Sequence, residues 1–161
     1  DRGNKNISRD KFRNPYETLS FFELARGKKV LEIVPGTGWY TEIISKYMNK
    51  SKNFYVLMYG KPRLEILKKI QKNFLDKFQN QNSFGDLKNI YFDEDLNIVH
   101  QDNYFDLVLT FRNTHNWLQI KKAETVYKSI SRVLKKGGIL GVVQHRAPNN
   151  MSNDWSVPLV E

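Results

Sequence analysis

Val30-Leu31-Glu32-Ile33-Val34-Pro35-Gly36-Thr37-Gly38-Trp39-Tyr40 is an apolar run that halts at a glycine turn and resumes with helical spacing. It reads as a strand, a tight loop and a helix. Val30, Leu31, Ile33 and Val34 are β-favouring residues of the kind a buried parallel strand uses, and Gly36 and Gly38 let the backbone turn sharply and approach a ligand closely. Ile43, Ile44, Tyr47 and Met48 then recur at spacings that leave one apolar face on a helix. The N-terminus of that helix points its free amides at the loop, which suits a nucleotide-like ligand. A purely structural turn between strand and helix is the alternative on this segment alone.

Working outward, further helices and strands alternate, without internal repeats. Pro15–Leu24 has the pattern of a short amphipathic helix with proline near its first turn, closed by Gly27. Phe54–Met58 is a second apolar strand, and Pro62 to about Gln79 a helix followed by the polar break Asn80–Ser83. Lys88–Phe92 reads as a third strand, with Leu96–Val99 as the rival placement. Phe105–Phe111 is a fourth, and Lys121–Leu134 a helix whose core face carries Ala123, Val126, Tyr127, Ile130, Val133 and Leu134. Lys135-Lys136-Gly137-Gly138 stops that helix, with basic residues at its C-terminus and glycine in the turn, so Ile139–Gln144 becomes the fifth strand. Strands that alternate with helices predict an α/β domain with a doubly wound, mainly parallel sheet covered on both faces. Ligands of such sheets bind outside the carboxyl ends of the strands, where strand order reverses.

The 161 residues, 40% of them hydrophobic, suffice for one domain with a sizeable core. Of the 26 basic residues behind the formal charge of +9, 18 are lysines, scattered rather than clustered with aromatics, so nucleic acid is a minority reading. No apolar run approaches the roughly 20 residues that span a bilayer. The charged opening Asp1-Arg2-Gly3-Asn4-Lys5 is no secretory signal, although a leader removed before Asp1 would leave no trace. Without cysteine there are no disulfides, thiolate nucleophiles or thiolate metal sites, and the compartment stays open between cytoplasm and export.

Val30–Gly38 resembles the first motif of the class I S-adenosylmethionine-dependent methyltransferases. Phe105–Leu109 is similar to that family's fourth strand, and Arg132–Leu140 to its helix and glycine entry into the fifth. The likeness runs from about Lys28 to Val143. It is closer still to a bacterial subgroup of predicted methyltransferases through Gly38–Glu42, Leu109–Trp117 and Val143–Ala147. The resemblance implies a Rossmann-like fold, S-adenosylmethionine as cofactor and a small-molecule methyl acceptor. It implies that Glu32 sits beneath the glycine loop and that Gly36, Thr37, Gly38 and Trp39 surround the cofactor, with Asp93 after the third strand as candidate for the adenine contact. A solvated charge run is the other reading of Asp93, because Glu94 and Asp95 adjoin it.

Two departures from the family pattern stand out. Val34 occupies a position where the family usually has glycine, and no acid follows the second strand, where Met58-Tyr59-Gly60-Lys61 replaces the carboxylate that holds the ribose. A noncatalytic binding module that has lost cofactor affinity is therefore the alternative function. The family's sheet also continues beyond the fifth strand, whereas only Met151–Glu161 remain here. This suggests an incomplete domain, or an exposed fifth-strand edge that the tail or another copy covers.

His115 follows the fourth strand and His145 ends the fifth, so both are expected at the ligand-binding edge as candidate general bases. Structural histidines bonded to backbone are the alternative for each. Arg112 and Arg146 stand beside them and would suit a carboxylate or phosphate on the acceptor, or else pair with Asp106 or Glu42. Trp39, Tyr40 and Trp117 are candidate pocket walls, with core packing their commoner role. No metal is expected, the one conceivable ligand group being His115, His145 and Asp102.

Overall fold

The computed structural model describes residues 2–48, 51–79 and 81–146. Three short helices, α1 (Asn4–Ile7), α2 (Asp10–Arg13) and α3 (Pro15–Phe21), precede the first strand, β1 (Val30–Ile33). Then come α4 (Trp39–Met48), β2 (Phe54–Tyr59), α5 (Glu65–Phe78), α6 (Gln81–Phe84), β3 (Lys88–Phe92) and β4 (Phe105–Phe111). The described chain closes with α7 (Thr114–Gln119), α8 (Ala123–Val133) and β5 (Leu134–Val143). The five strands form one sheet in the order β3-β2-β1-β4-β5, every pair parallel. Strand order reverses at β1, which lies between β2 and β4.

The pleat sends alternate residues to two cores. Val30 of β1, Phe54, Val56 and Met58 of β2, and Leu107 and Leu109 of β4 face α3, α4 and α5, where they meet Leu19, Trp39, Tyr40, Ile44, Phe74 and Phe78. Leu31 and Ile33, Tyr55 and Leu57, and Val108 face the opposite layer, packing on Trp117 of α7 and on Val126, Ile130 and Val133 of α8. Both faces are covered because these strands are apolar on both sides, as buried parallel strands must be.

Three differences from the sequence reading have local causes, and the one choice it left open, the third strand, is decided for its first reading. The polar lead-in contains α1 and α2, too short and too polar to show a helical period. Helix α5 begins at Glu65 rather than Pro62, because Leu64 before it is extended (ψ 135°). Leu96–Val99 contributes only an antiparallel bridge from Ile98 to Phe92, so the third strand is Lys88–Phe92. Finally, α8 ends at Val133 and β5 begins at once: Leu134 pairs with Phe105, the register shifts, and the ladder resumes at Leu107 and Ile139. Gly137, at φ 78°, absorbs that irregularity. Within the described residues β5 has a strand neighbour on one side only. The expectation that Met151–Glu161 cover its edge lies outside them.

Candidate functional site

A cleft of about 690 Å³ opens at the carboxyl ends of the strands. Its lining comes from the residues that leave β1 (Val34–Thr37), β2 (Met58, Tyr59), β4 (Phe111–Asn113) and β5 (Val143–His145), and from α5 and α2. That is the switch point the topology predicts.

Glu32 forms the floor. It is 1% exposed, and its Oε2 accepts a 2.7 Å hydrogen bond from Thr41 Oγ1. Burial pushes its carboxyl up to about 8 against the opposing effect of Thr41, so at neutral pH the acid holds its proton. Above it Gly36 lines the cleft at φ 59°, and a side-chain atom there would meet nothing within 4 Å. Thr37 is exposed beside it, and Trp39 closes the wall as the first residue of α4. Gly38 lies outside the lining, since its α-carbon is turned into the core against Phe74 and Phe78.

The loop is held in place from β4. The buried Asn113 side-chain amide reaches the carbonyls of Ile33 (2.9 Å) and Val34 (3.2 Å) and the hydroxyl of Thr110 (3.1 Å). Val34 N–H also donates to Leu57 O at 2.8 Å. Clamped from both sides, Val34 sits at φ 45°. This is the left-handed region that a β-branched residue adopts only under strain, at a cost of about 1–3 kcal/mol. The loop thus keeps the glycine-type conformation although the residue is valine. Val34→Gly is therefore expected to change unfolding free energy in urea by less than about 1 kcal/mol, because relief of strain offsets the lost packing; removing a half-buried valine at an unstrained position costs about 2 kcal/mol or more.

A cover made by α1 and α2 brings Arg9, Phe12 and Arg13 to the opposite lip. Its latch is Glu42 on α4, whose carboxylate receives Asn6 Nδ2 (2.9 Å to each oxygen), Arg2 Nε (3.3 Å) and the Lys77 ammonium. Burial favours the neutral acid at Glu42, but Lys77, Asn6 and Arg2 outweigh it and hold its carboxyl below the usual range. Trp39 Nε1 donates to Asn6 O (2.9 Å), and the guanidinium groups of Arg2 and Arg13 each lie 4.7 Å from the Trp39 ring centroid. Tyr40 stacks on Phe111 at 3.6 Å between ring centroids and donates its hydroxyl to Arg13 O at 3.2 Å. Sequence reasoning missed this cover, since nothing in Arg2–Asn14 marks it and its partner Glu42 lies 36 and 40 positions from Asn6 and Arg2.

His115, His145 and Arg112 all reach the cleft, whereas Arg146 does not line it. The Gln144 amide nitrogen lies 3.0 Å from His115 Nδ1. With the amide assigned in that sense Nδ1 accepts, and the ring proton stands on Nε2, so His115 offers the cleft a donor. The Gln144 Oε1 atom is buried without a partner. His145 is exposed, and its pKa is lowered by Arg112 first, then by burial, His115 and Arg13; it is therefore the neutral imidazole able to accept a proton. Neither Asp106 nor Glu42 pairs with these arginines, because Lys135 and the Lys29 amide take Asp106.

Three expectations end elsewhere. Asp93 does not line the cleft: its Oδ1 accepts from the Asp95 and Asn97 amides (2.9 and 2.8 Å), so the carboxylate is consumed in closing its own turn. Those Asn97 and Asp95 bonds outweigh its slight burial and keep its pKa low. Trp117 is wholly buried in the α7–α8 core. Asp102 pairs with Arg132 before β4 begins, at the opposite end of that strand from both histidines.

The residues present fit S-adenosylmethionine in part. Gly36 offers an open approach, Glu32 a buried carboxyl, and Gln144 an orphaned acceptor. At the end of β2, Tyr59 and Gln71 stand where a ribose carboxylate is missing, Gln71 Nε2 being held by Tyr59 O at 3.1 Å.

Comparison with known proteins agrees with this fold. A family model described as a methyltransferase domain matches residues 31–142. Among solved structures, an S-adenosylmethionine-dependent methyltransferase from Aquifex aeolicus shares the fold at TM-score 0.68 and 20% identity over 90% of this chain and 71% of its own. The YcgJ protein from Bacillus subtilis does so at 0.64 and 18%, over 86% of this chain and 53% of its own. The glycopeptide N-methyltransferase MtfA, complexed with S-adenosylhomocysteine, does so at 0.58 and 15%, over 78% and 46%. No curated protein sequence matches significantly. The chain belongs to the methyltransferase domain family, with the class I, S-adenosylmethionine-dependent fold. Among the described residues no helix is long and apolar enough to cross a membrane.

Proposed function

We infer that this domain transfers a methyl group from S-adenosylmethionine to a small-molecule acceptor. The observation that carries this reading is one cleft with two differently equipped halves: Glu32, Gly36, Thr37 and Trp39 on the β1 side, His115, His145 and Arg112 at the ends of β4 and β5. When bound, the cofactor supplies an electrophilic methyl group on a good leaving group, so the protein's work is alignment and proton handling rather than covalent catalysis. Gly36 lets the backbone approach the cofactor, and Glu32 presents its carboxyl from below. Asn113 keeps the loop in place without touching the ligand. His145 takes the acceptor's proton, while His115, oriented by Gln144, donates Nε2–H to an acceptor oxygen. Asp93 has no part in this assignment.

The reading places the protein where the cofactor is supplied, in the cytoplasm. The outer edge of β5 is where a further strand, from this chain or another copy, would add. Calorimetric titration of S-adenosylhomocysteine tests the assignment. Micromolar binding is expected for the wild type and a loss of at least about tenfold for Gly36→Asp, which puts a carboxylate into the open approach without touching the core. Absence of binding to the folded wild type would leave the binding-module alternative.

A further inference from the structure

We propose that the methyl acceptor carries an oxyanion, a carboxylate or a phosphate, held by Arg9 and Arg13 of the N-terminal cover together with Arg112 at the end of β4. The proposal rests on the methyltransferase reading above and adds the charge class of the substrate.

The three side chains come from two distant parts of the chain and line one cleft. Among the described residues none of them has a carboxylate within ion-pair distance. The neighbouring acids are already engaged: Asp10 with Arg2 (2.7 Å), Glu42 with Arg2 and Lys77, Asp106 with Lys135 (2.6 Å). Arg2, on the same cover but outside the cleft lining, is paired twice. Folding therefore neutralises the cation that faces the body of the protein and leaves those that face the cleft without a counter-ion.

The groups also sense one another. Burial lowers the pKa of Arg13, and Arg9 and Arg112 lower it further; Arg112 and Arg13 act in the same direction on His145. Like charges gathered in this way favour an anion between them, and guanidinium forks match the geometry of carboxylate and phosphate oxygens. Arg112 is held at φ 62° by its N–H bond to Val143 O (2.8 Å), a strained backbone at the point where β4 delivers the residue to the cleft.

Charge balance points the same way. Among the described residues Glu32 is the one acid in the lining, and it is protonated at neutral pH. S-adenosylmethionine carries a sulfonium and an ammonium against a single carboxylate, so the cofactor brings one negative group to a cleft lined by Arg9, Arg13 and Arg112. With a neutral acceptor the cleft keeps a surplus of positive charge, which an anionic acceptor reduces. The cleft volume of about 690 Å³ lies within the on-the-order-of 300–1,000 Å³ typical of small-ligand sites, so the anion belongs to a small molecule.

The test is calorimetric titration of inorganic phosphate and of citrate, at constant ionic strength, into the 161-residue chain saturated with S-adenosylhomocysteine. Saturable binding of at least one anion is expected, weakened at least about tenfold in Arg13→Gln/Arg112→Gln; which anion binds tells phosphate from carboxylate. Arg9→Gln is the second variant. Its side chain makes no hydrogen bond or ion pair among the described residues, so the fold survives, and a loss of about threefold or more is expected there too. Lack of saturable anion binding to the wild type, or equal binding in wild type and both variants, overturns the proposal. The S-adenosylhomocysteine titration is read first: failure there overturns the methyltransferase reading and this inference with it, whereas cofactor binding without an anion response overturns this inference alone.

Discussion

Glu32→Gln is expected to stabilise the protein at pH 8 and to leave its stability unchanged at pH 4.5. Below its ordinary value of 4.5 the glutamate is protonated in both the folded and the unfolded chain. Above that pH the unfolded chain releases its proton, while the folded chain keeps it until about 8. The folded state thus binds more protons across this window, and stability falls by about 1.4 kcal/mol per pH unit as pH rises. By pH 7 the accumulated penalty is on the order of 3 kcal/mol. Glutamine has no proton to lose and can still accept from the Thr41 hydroxyl. Urea unfolding at pH 5 and pH 8 should therefore show a falling wild type and a nearly level variant, the gap at pH 8 reaching about 2–4 kcal/mol. Equal slopes for the two proteins would mean that Glu32 is hydrated and its acidity ordinary. On the proposed assignment the same substitution weakens S-adenosylhomocysteine binding, because the carboxyl lies beneath the loop assigned to the cofactor.

Gly38→Ala should destabilise the fold by about 2–4 kcal/mol. The backbone at Gly38 has φ 78°, and an added methyl would lie 2.7 Å from Phe78 Cζ and 3.0 Å from Phe74 Cε2. Those rings are buried and packed on each other at 4.5 Å between centroids, so neither has room to withdraw. The consequence extends beyond stability. Helix α5 carries Leu67, Ile70, Gln71 and Phe74 into the cleft, and shifting it changes the cofactor side of the site. A lowered melting temperature together with weaker S-adenosylhomocysteine binding is the expected result. A variant with wild-type stability would show that the close approach of α5 to the glycine loop is not maintained in solution.

The two glycines of the loop have separate tasks that spacing alone does not distinguish. Both have positive φ, but Gly36 borders open space and Gly38 borders two phenyl rings. One borders the cleft and the other is a packing position. The same division applies to the acids. Glu32 and Asp93 each stand near the carboxyl end of a strand, yet one is sealed beneath the loop and the other spends its oxygens on its own turn.

What the sequence determined by itself is the succession of the five strands with α3, α4, α5 and α8, and the end of the sheet at which the cleft opens. Those properties are local: apolar runs such as Phe105–Phe111, the 3.6-residue period of α8 and the glycine loop are encoded by neighbouring residues and by the parallel connections they force. It also placed His115, His145 and Arg112 at that edge, because each comes shortly after the end of β4 or β5. Only the tertiary structure decided which charges remain without partners. Arg2, Arg9 and Arg13 are indistinguishable in a polar lead-in; one is neutralised by Asp10 and Glu42, and the other two are delivered to the cleft. The difference arises because pairing and desolvation depend on contacts made in space, such as Arg2 with Glu42 across 40 positions, and the strain at Val34 likewise comes from a clamp by Asn113, 79 positions away, and Leu57 that no local pattern records.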